Sequence, residues 1–239
     1  MGRVGKAAEL RVTVGQPIGG SDLLAAVGAH AVLVRAARAD VMVFPELSLT
    51  GYEVDAVPVD LRRDRRLFDG LIDACASSDT CALVGAPVIE NGCRSIAFVR
   101  VDTDGVEVVY RKRHLGGQEI ERFTPGPAVS TVDIRGWRFG FGICRDTGVE
   151  THTEATAALG IDVYAAGVVH HRSELSEQLR RASDIGARCG AYVAMASCAG
   201  PTGGGYRDTA GNSVIMSAEG TVLAQAGEIA GDYVTAVLR

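Results

Sequence analysis

The sequence predicts a layered α/β fold built on a mixed sheet or a pair of sheets. Three observations lead there. Strand-like and helix-like segments alternate through the middle of the chain. Several strands are apolar at every position, the sign of burial on both faces. Hairpin signals interrupt the alternation, so the strands cannot all run parallel. No repeat, low-complexity tract or linker divides the 239 residues, and a chain of this length can bury a sizeable core alone. The expectation is a single domain over residues 1–239.

In order, Leu10 to Val14 alternates as a short strand and closes at Gly15-Gln16-Pro17. Ser21 is placed to cap the alanine-rich amphipathic helix that follows from Ala25 to Ala39, because its hydroxyl can accept an orphan backbone N–H. Val41 to Phe44 is an uninterrupted apolar strand ended by Pro45, with Glu46 next and a loop leading to Tyr52. Leu67 to Ala76 is helical, and Cys81 to Val84 is a buried strand ended by Gly85 and Pro87. Ser95–Val101 and Val106–Tyr110 form a hairpin around Asp102–Gly105, since Asp-Gly supplies the positive φ a tight turn needs.

The stretch from Trp137 to Ile143 then alternates Trp137, Phe139, Phe141 and Ile143 with Arg138, Gly140 and Gly142. That is the period of two of a strand, and it delivers Cys144 at a sheet edge. Its glycines are expected to admit another backbone or a ligand. Beyond it come a helix from Glu150 to Leu159, a strand from Asp162 to Ala166 and a long helix from Ser173 to Cys189. A strand from Tyr192 to Ala196 opens into the loop Gly200–Gly205. Two strands, Ser213–Met216 and Tyr233–Val237, end the chain.

Composition narrows the function. Hydrophobic residues make up 47% of the chain, which suits a globular protein. A formal net charge of −5 argues against non-specific nucleic-acid binding, which requires phosphate neutralisation. The one basic run, Arg62–Arg66, reads as the solvated face of a helix. No apolar run reaches the length of a membrane span, and the first residues do not read as a secretory leader. The six cysteines, Cys75, Cys81, Cys93, Cys144, Cys189 and Cys198, form no CxxC pair or zinc-like cluster. They are expected to be reduced thiols in the cytoplasm.

Glu46, Lys112 and Cys144 each stand at or just past a strand end, where the ligands of open α/β sheets gather. A thiol whose pKa an ammonium lowers, beside a carboxylate that accepts its proton, is a nucleophilic site. A histidine partner for Cys144, at His170 or His171, has no motif around it. Glu150–Glu154 reads as a helix start rather than a metal site, and Gly203–Gly205 lacks the lysine of a phosphate cradle. A binding module without turnover would not need Glu46, Lys112 and Cys144 together.

These residues lie in motifs that resemble those of the nitrilase superfamily, the carbon–nitrogen hydrolases. Phe44–Tyr52 resembles the family's glutamate motif. Tyr110–Leu115, with Phe123–Gly126 after it, resembles the lysine motif, and Gly142–Asp146 the cysteine motif. Gly211–Ile215, with Gly220 and Ala224, is similar to the C-terminal signature. The resemblance implies a four-layer αββα sandwich, a homodimer or higher homo-oligomer, and hydrolysis of a small linear amide without metal or cofactor. N-carbamoyl compounds and nitriles are the alternatives within the family.

In that scheme Glu46 is the general base and Cys144 the nucleophile. Lys112 stabilises the oxyanion with the backbone N–H of Arg145. A second glutamate follows the lysine; both Glu119 and Glu121 are present, and the spacing favours Glu119. Arg145, Tyr52 and His114 are the candidate substrate-binding residues. The chain also departs from the family pattern. Arg145 replaces an aromatic residue after the cysteine, a Phe-Pro pair before Glu150 is missing, and Arg188-Cys189 stands in place of a Glu-Asn pair. Cys-Arg-Asp leans away from nitriles, and Arg145 either holds a substrate carboxylate or pairs with Asp146 or Glu150.

Overall fold

Residues 7–19 and 22–239 are described in the computed structural model of the protein. The expected cap at Ser21 and the reading of the first six residues lie outside them. Asp22 caps the first helix, its Oδ1 accepting from the Ala25 backbone N–H at 2.9 Å.

Among the described residues the strands form two six-stranded sheets. In the first, β12 (Tyr233–Leu238), β1 (Leu10–Gly15), β2 (Val41–Val43), β3 (Cys81–Glu90), β4 (Cys93–Asp102) and β5 (Gly105–Arg111) lie side by side in that order. In the second the order is β11 (Val222–Gln225), β10 (Val214–Met216), β9 (Tyr192–Ser197), β8 (Val163–Val168), β7 (Trp137–Ile143) and β6 (Thr131–Ile134). β1, β2 and β3 are parallel. Two antiparallel steps bring β5 back to their direction. β7, β8 and β9 are likewise parallel. The strands that precede Glu46 and Lys112 therefore point to one edge of the first sheet.

The apolar residues sort into three layers of contact. Val12, Val14, Val43, Leu83 and Phe98 of the first sheet meet Trp137, Phe139, Phe141, Ile143 and Ala165 of the second between the sheets. The other face of the first sheet, with Met42, Val84 and Val99, packs on α1 (Leu23–Ala37) and α2 (Asp69–Ser78). The outer face of the second, with Tyr164, Ala166, Val193 and Met195, packs on α4 (Leu175–Cys189), while α3 (Glu150–Ala157) lies beside α4. Both faces of each central strand are covered, which is why the sequence reads apolar at consecutive positions. The result is the αββα sandwich.

Three expectations are corrected. β3 does not end at Gly85 and Pro87 but runs on to Glu90. Beyond Leu83 its side toward β2 has no continuous partner, so Pro87, which has no N–H, breaks no ladder there; its carbonyl accepts from Val59 N–H at 2.8 Å. Arg62–Arg66 lies in turns and the start of a 3-10 turn at Arg65–Phe68, not on a helix face. Gly140 and Gly142 make room for side chains, not for a backbone or ligand: Thr156 and Ile161 close on the first and the Tyr164 hydroxyl on the second.

All six cysteines are free thiols. Among the described residues no helix is long and apolar enough to cross a membrane.

Candidate active site

Glu46 follows the end of β2 by three residues, and the chain reaches it by crossing both sheets closely. A Cβ at Gly85 in β3 would overlap the Pro45 carbonyl oxygen. At Gly167 in β8 it would come within 2.9 Å of Phe44 O and Glu46 N. Two side-chain-free positions, one per sheet, thus let the Pro45–Glu46 segment pass between them. Leu47 then turns with φ of 49°, a left-handed conformation that costs a non-glycine residue energy and persists where the surroundings enforce it.

Lys112 is set at the end of β5 by its own backbone, which donates to Ile96 O at 2.8 Å and accepts from Gly126 N–H at 2.8 Å. Its buried ammonium donates to Glu46 Oε1 at 2.6 Å and to Glu119 Oε1 at 2.7 Å. Glu119 also accepts from the Tyr52 hydroxyl at 2.5 Å and, through Oε2, from Gly116 N–H at 2.9 Å. Glu46 Oε2 is buried with no hydrogen-bond partner among the described residues. Glu121 points away, exposed and paired with Arg122 at 3.4 Å, so the buried second carboxylate is Glu119.

Cys144 directly follows β7 and opens the 3-10 turn Cys144–Gly148. Its φ of 43° makes this a second strained residue of the site. Asp146 fastens the turn. Its Oδ2 accepts from Ile143 N–H at 3.0 Å and from the Tyr110 hydroxyl at 2.7 Å. Its Oδ1 accepts from His114 N–H at 2.8 Å and faces His114 Nδ1 at 2.9 Å. The thiol points at Val169 O, at 3.4 Å.

Electrostatics follow from burial. It raises the Glu46 carboxyl to about 7; Lys112 opposes the shift and Glu119 adds to it. Burial, then the charge of Glu46, keeps Cys144 protonated against the pull of Lys112. Although burial works against the ammonium, Glu46, Cys144 and Glu119 hold Lys112 firmly charged. The resting site is a neutral thiol beside a carboxylate that can change state near neutral pH.

Lys112, Glu119, Cys144, Arg145 and Tyr52 line one cleft of about 380 Å³. His114 is not among its lining residues; it is turned to Asp146 behind the nucleophile turn. Sequence reasoning missed Tyr206, Glu174 and Arg181, which also line the cleft. Tyr206 packs edge-on against Tyr52 at 4.9 Å and stacks on His171 at 4.4 Å. The pairing of Tyr206 with Tyr52 leaves no local pattern, because the two lie more than 150 positions apart in sequence. Gly204, from the predicted glycine loop, lines the cleft too. His170 also does, but its Nδ1 pairs with Gln178 Oε1 at 3.2 Å, not with Cys144.

Among the described residues, the donor atoms of His114, Asp146 and His152 come within 4.8 Å of one another, the one grouping with the spacing of a metal site. Asp146 is already committed to the hydrogen bonds above, and His152 Nε2 lies 3.0 Å from Phe141 O. Asp146 and His114 thereby support the nucleophile turn, while His152 Nδ1 is buried with no hydrogen-bond partner among the described residues.

The sequence profile of the carbon–nitrogen hydrolases matches residues 12–238. Omega-amidase YafV of Yersinia enterocolitica is 30% identical over 191 residues, 78% of this chain and 72% of the relative. An (R)-stereoselective amidase of Pseudomonas sp. is also 30% identical, over 136 residues, 56% of this chain and half the relative's length. Among solved structures, XC1258 of Xanthomonas campestris, a CN-hydrolase superfamily protein, superposes with a TM-score of 0.86 at 16% identity, covering 98% of this chain and 91% of that one. Nit3 of Saccharomyces cerevisiae, of the nitrilase superfamily, gives 0.83 at 20% identity, covering 98% and 93%.

Proposed function

This chain belongs to the carbon–nitrogen hydrolase family, whose members act on carbon–nitrogen bonds other than peptide bonds, and we propose that it hydrolyses a small linear amide through a thioester on Cys144. The observation that carries this reading is the Glu46–Lys112–Glu119 relay: the Lys112 ammonium, in the wall of the cleft that Cys144 enters, is bonded to Glu119 beside it and to Glu46 buried behind it.

The steps balance with these groups alone. Glu46 takes the Cys144 proton as sulfur forms a bond to the amide carbon. Because burial keeps the thiol protonated at rest, proton removal and attack proceed together. The oxyanion is stabilised by Lys112 and by the Arg145 N–H, one of the amides that open the 3-10 turn without a partner within it. Glu46 then returns its proton to nitrogen, the C–N bond breaks, and ammonia or an amine leaves. Water gives a proton to Glu46 and attacks the thioester; the acid departs and Cys144 recovers its proton. Glu119 keeps Lys112 aligned, and Tyr52 in turn keeps Glu119 aligned. His114 serves the nucleophile turn rather than the substrate.

Six free thiols suit a reducing compartment such as the cytoplasm, and the protein works as a homodimer, which sedimentation would test. For the reaction itself, ammonia release over a panel of amides, carbamoyl compounds and nitriles is expected to favour amides. Mass spectrometry should find an acyl adduct on Cys144. A Cys144→Ala protein with full turnover would overturn the mechanism.

A further inference from the structure

Arg145 follows the nucleophile directly and lines the cleft, exposed. Its charge is not answered by any carboxylate within ion-pair distance among the described residues. The acids that might have taken it are committed elsewhere. Asp146, its neighbour in sequence, spends both oxygens on Tyr110, Ile143 N–H and His114. Glu150 pairs with Arg188 at 2.6 Å. Glu119 is held by Lys112, Tyr52 and Gly116. Glu174, which also lines the cleft, accepts from His171 N–H at 2.8 Å through one oxygen and forms no ion pair with Arg145 among the described residues. The other arginine of the lining, Arg181, is paired with Glu177 at 2.7 Å.

An unpaired arginine on an open surface would mean little, because water solvates it well. This one is placed. Its side chain lies along the backbone of Gly116 on the cleft wall, where an added Cβ would stand 3.1 Å from Nη1 and 3.3 Å from Cδ. Gly116 has φ of −134° and ψ of 157°, an extended conformation open to any residue. The backbone does not call for glycine there, but a methyl at this position would press on the Arg145 side chain. The same Gly116 N–H holds Glu119, so the guanidinium and the catalytic relay share one fixed segment.

We propose that Arg145 reads a carboxylate on the substrate, so that the preferred amides carry a second, anionic group, and that Gly116 keeps the guanidinium in position to do so. This rests on the reaction proposed above. A planar guanidinium matches a carboxylate in a two-pronged pair. Anchored beside the nucleophile, such a pair would fix how far the scissile carbonyl sits from the charge. The carboxylate can belong to the acyl side, as in the monoamide of a dicarboxylic acid, or to the amine side, as in an N-carbamoyl amino acid.

Binding to the turnover-dead Cys144→Ala protein separates this inference from the reaction. Succinamic acid, N-carbamoyl-β-alanine and uncharged butyramide are titrated calorimetrically. At least one carboxylate ligand is expected to bind more tightly than butyramide by about tenfold or more, and the one that does tells which side carries the charge. Adding Arg145→Gln should weaken that ligand about 10- to 100-fold and leave butyramide within about twofold. Arg145→Lys, which keeps the charge but not the fork, should fall between, and Gly116→Ala should weaken only the anionic ligand. Equal affinity for charged and uncharged ligands, or an equal loss of both with Arg145→Gln, would overturn the inference. Failure of the native protein to turn over any amide would count against the reaction instead, with the binding comparison still deciding the role of Arg145.

Discussion

With its carboxyl raised to about 7 by burial, Glu46 is only partly ionised in neutral solution, and the general base must be ionised to accept the thiol proton. The rate of amide hydrolysis, as kcat/KM, should therefore rise with pH through an acid limb near 7 rather than near the ordinary carboxylate value of 4.5. Glu46→Gln should lower kcat by about 10²- to 10⁴-fold. The same shift bears on stability. A carboxyl whose pKa is higher folded than unfolded favours the folded state while protonated, so its contribution is complete below about 4.5 and is lost as pH rises through about 7. Glu46→Gln should flatten that decline in a denaturant titration repeated across pH, and an unchanged slope would refute the assignment. Lys112 offers a second test, because two buried carboxylates share its one ammonium. Lys112→Met should destabilise the protein by about 3–5 kcal/mol at neutral pH, and much less at pH 5, where the stranded carboxyls protonate. Thermal melts at the two pH values would show it. The motifs made Glu46, Lys112 and Cys144 visible in the sequence. That Tyr52 serves Glu119, and His114 serves Asp146, was not visible, since hydrogen bonds across 67 and 32 residues leave no local pattern.

At the scale of elements, the strands that the sequence reading found and those it missed differ in position. β7, at the centre of the site, matches its predicted span of Trp137–Ile143, because its core-facing positions Trp137, Phe139, Phe141 and Ile143 are all bulky and apolar and alternate with Arg138, Gly140 and Gly142. β6 and β11 were not foreseen, and they are the two edges of the second sheet. Edge strands are short and partly exposed, and β11 leaves Val222 and Leu223 at 47% and 41% exposure, so neither carries the apolar run that marks a central strand. Gly85 and Pro87 look like a strand end for a related reason: glycine and proline close together are local stop signals, whereas the work of Gly85 is to let the Pro45–Glu46 segment cross β3. Gly85→Ala tests that. Its methyl would overlap Pro45 O, so the variant should lose about 1–3 kcal/mol of stability through overpacking. It should also lose far more activity than that fraction unfolded explains, because the displaced segment carries Glu46. Activity per folded molecule, with folding followed by circular dichroism, would decide; a variant fully active when folded would refute the crossing role.

For the whole molecule, the consequence of the sandwich is that neither sheet holds a complete site. Glu46 and Lys112 leave the first sheet and Cys144 the second, and what holds them together is the apolar layer between the sheets, including Phe98 against Phe141 at 5.9 Å. The chain's one tryptophan, Trp137, is fully buried in this layer. Its indole N–H donates to Ala7 O at 3.0 Å, so its fluorescence reports the separation of the sheets. If catalysis depends on their apposition, activity should be lost in urea at the concentration where Trp137 emission shifts to the red, the two curves having one midpoint. Phe141→Ala, which opens a cavity in the same layer, should cost about 3–5 kcal/mol and move both midpoints down together. Activity that vanished well before the Trp137 shift would show instead that the cleft loops around Tyr52, Gly116 and Tyr206 fail first, and that the inter-sheet core does not limit the stability of the site.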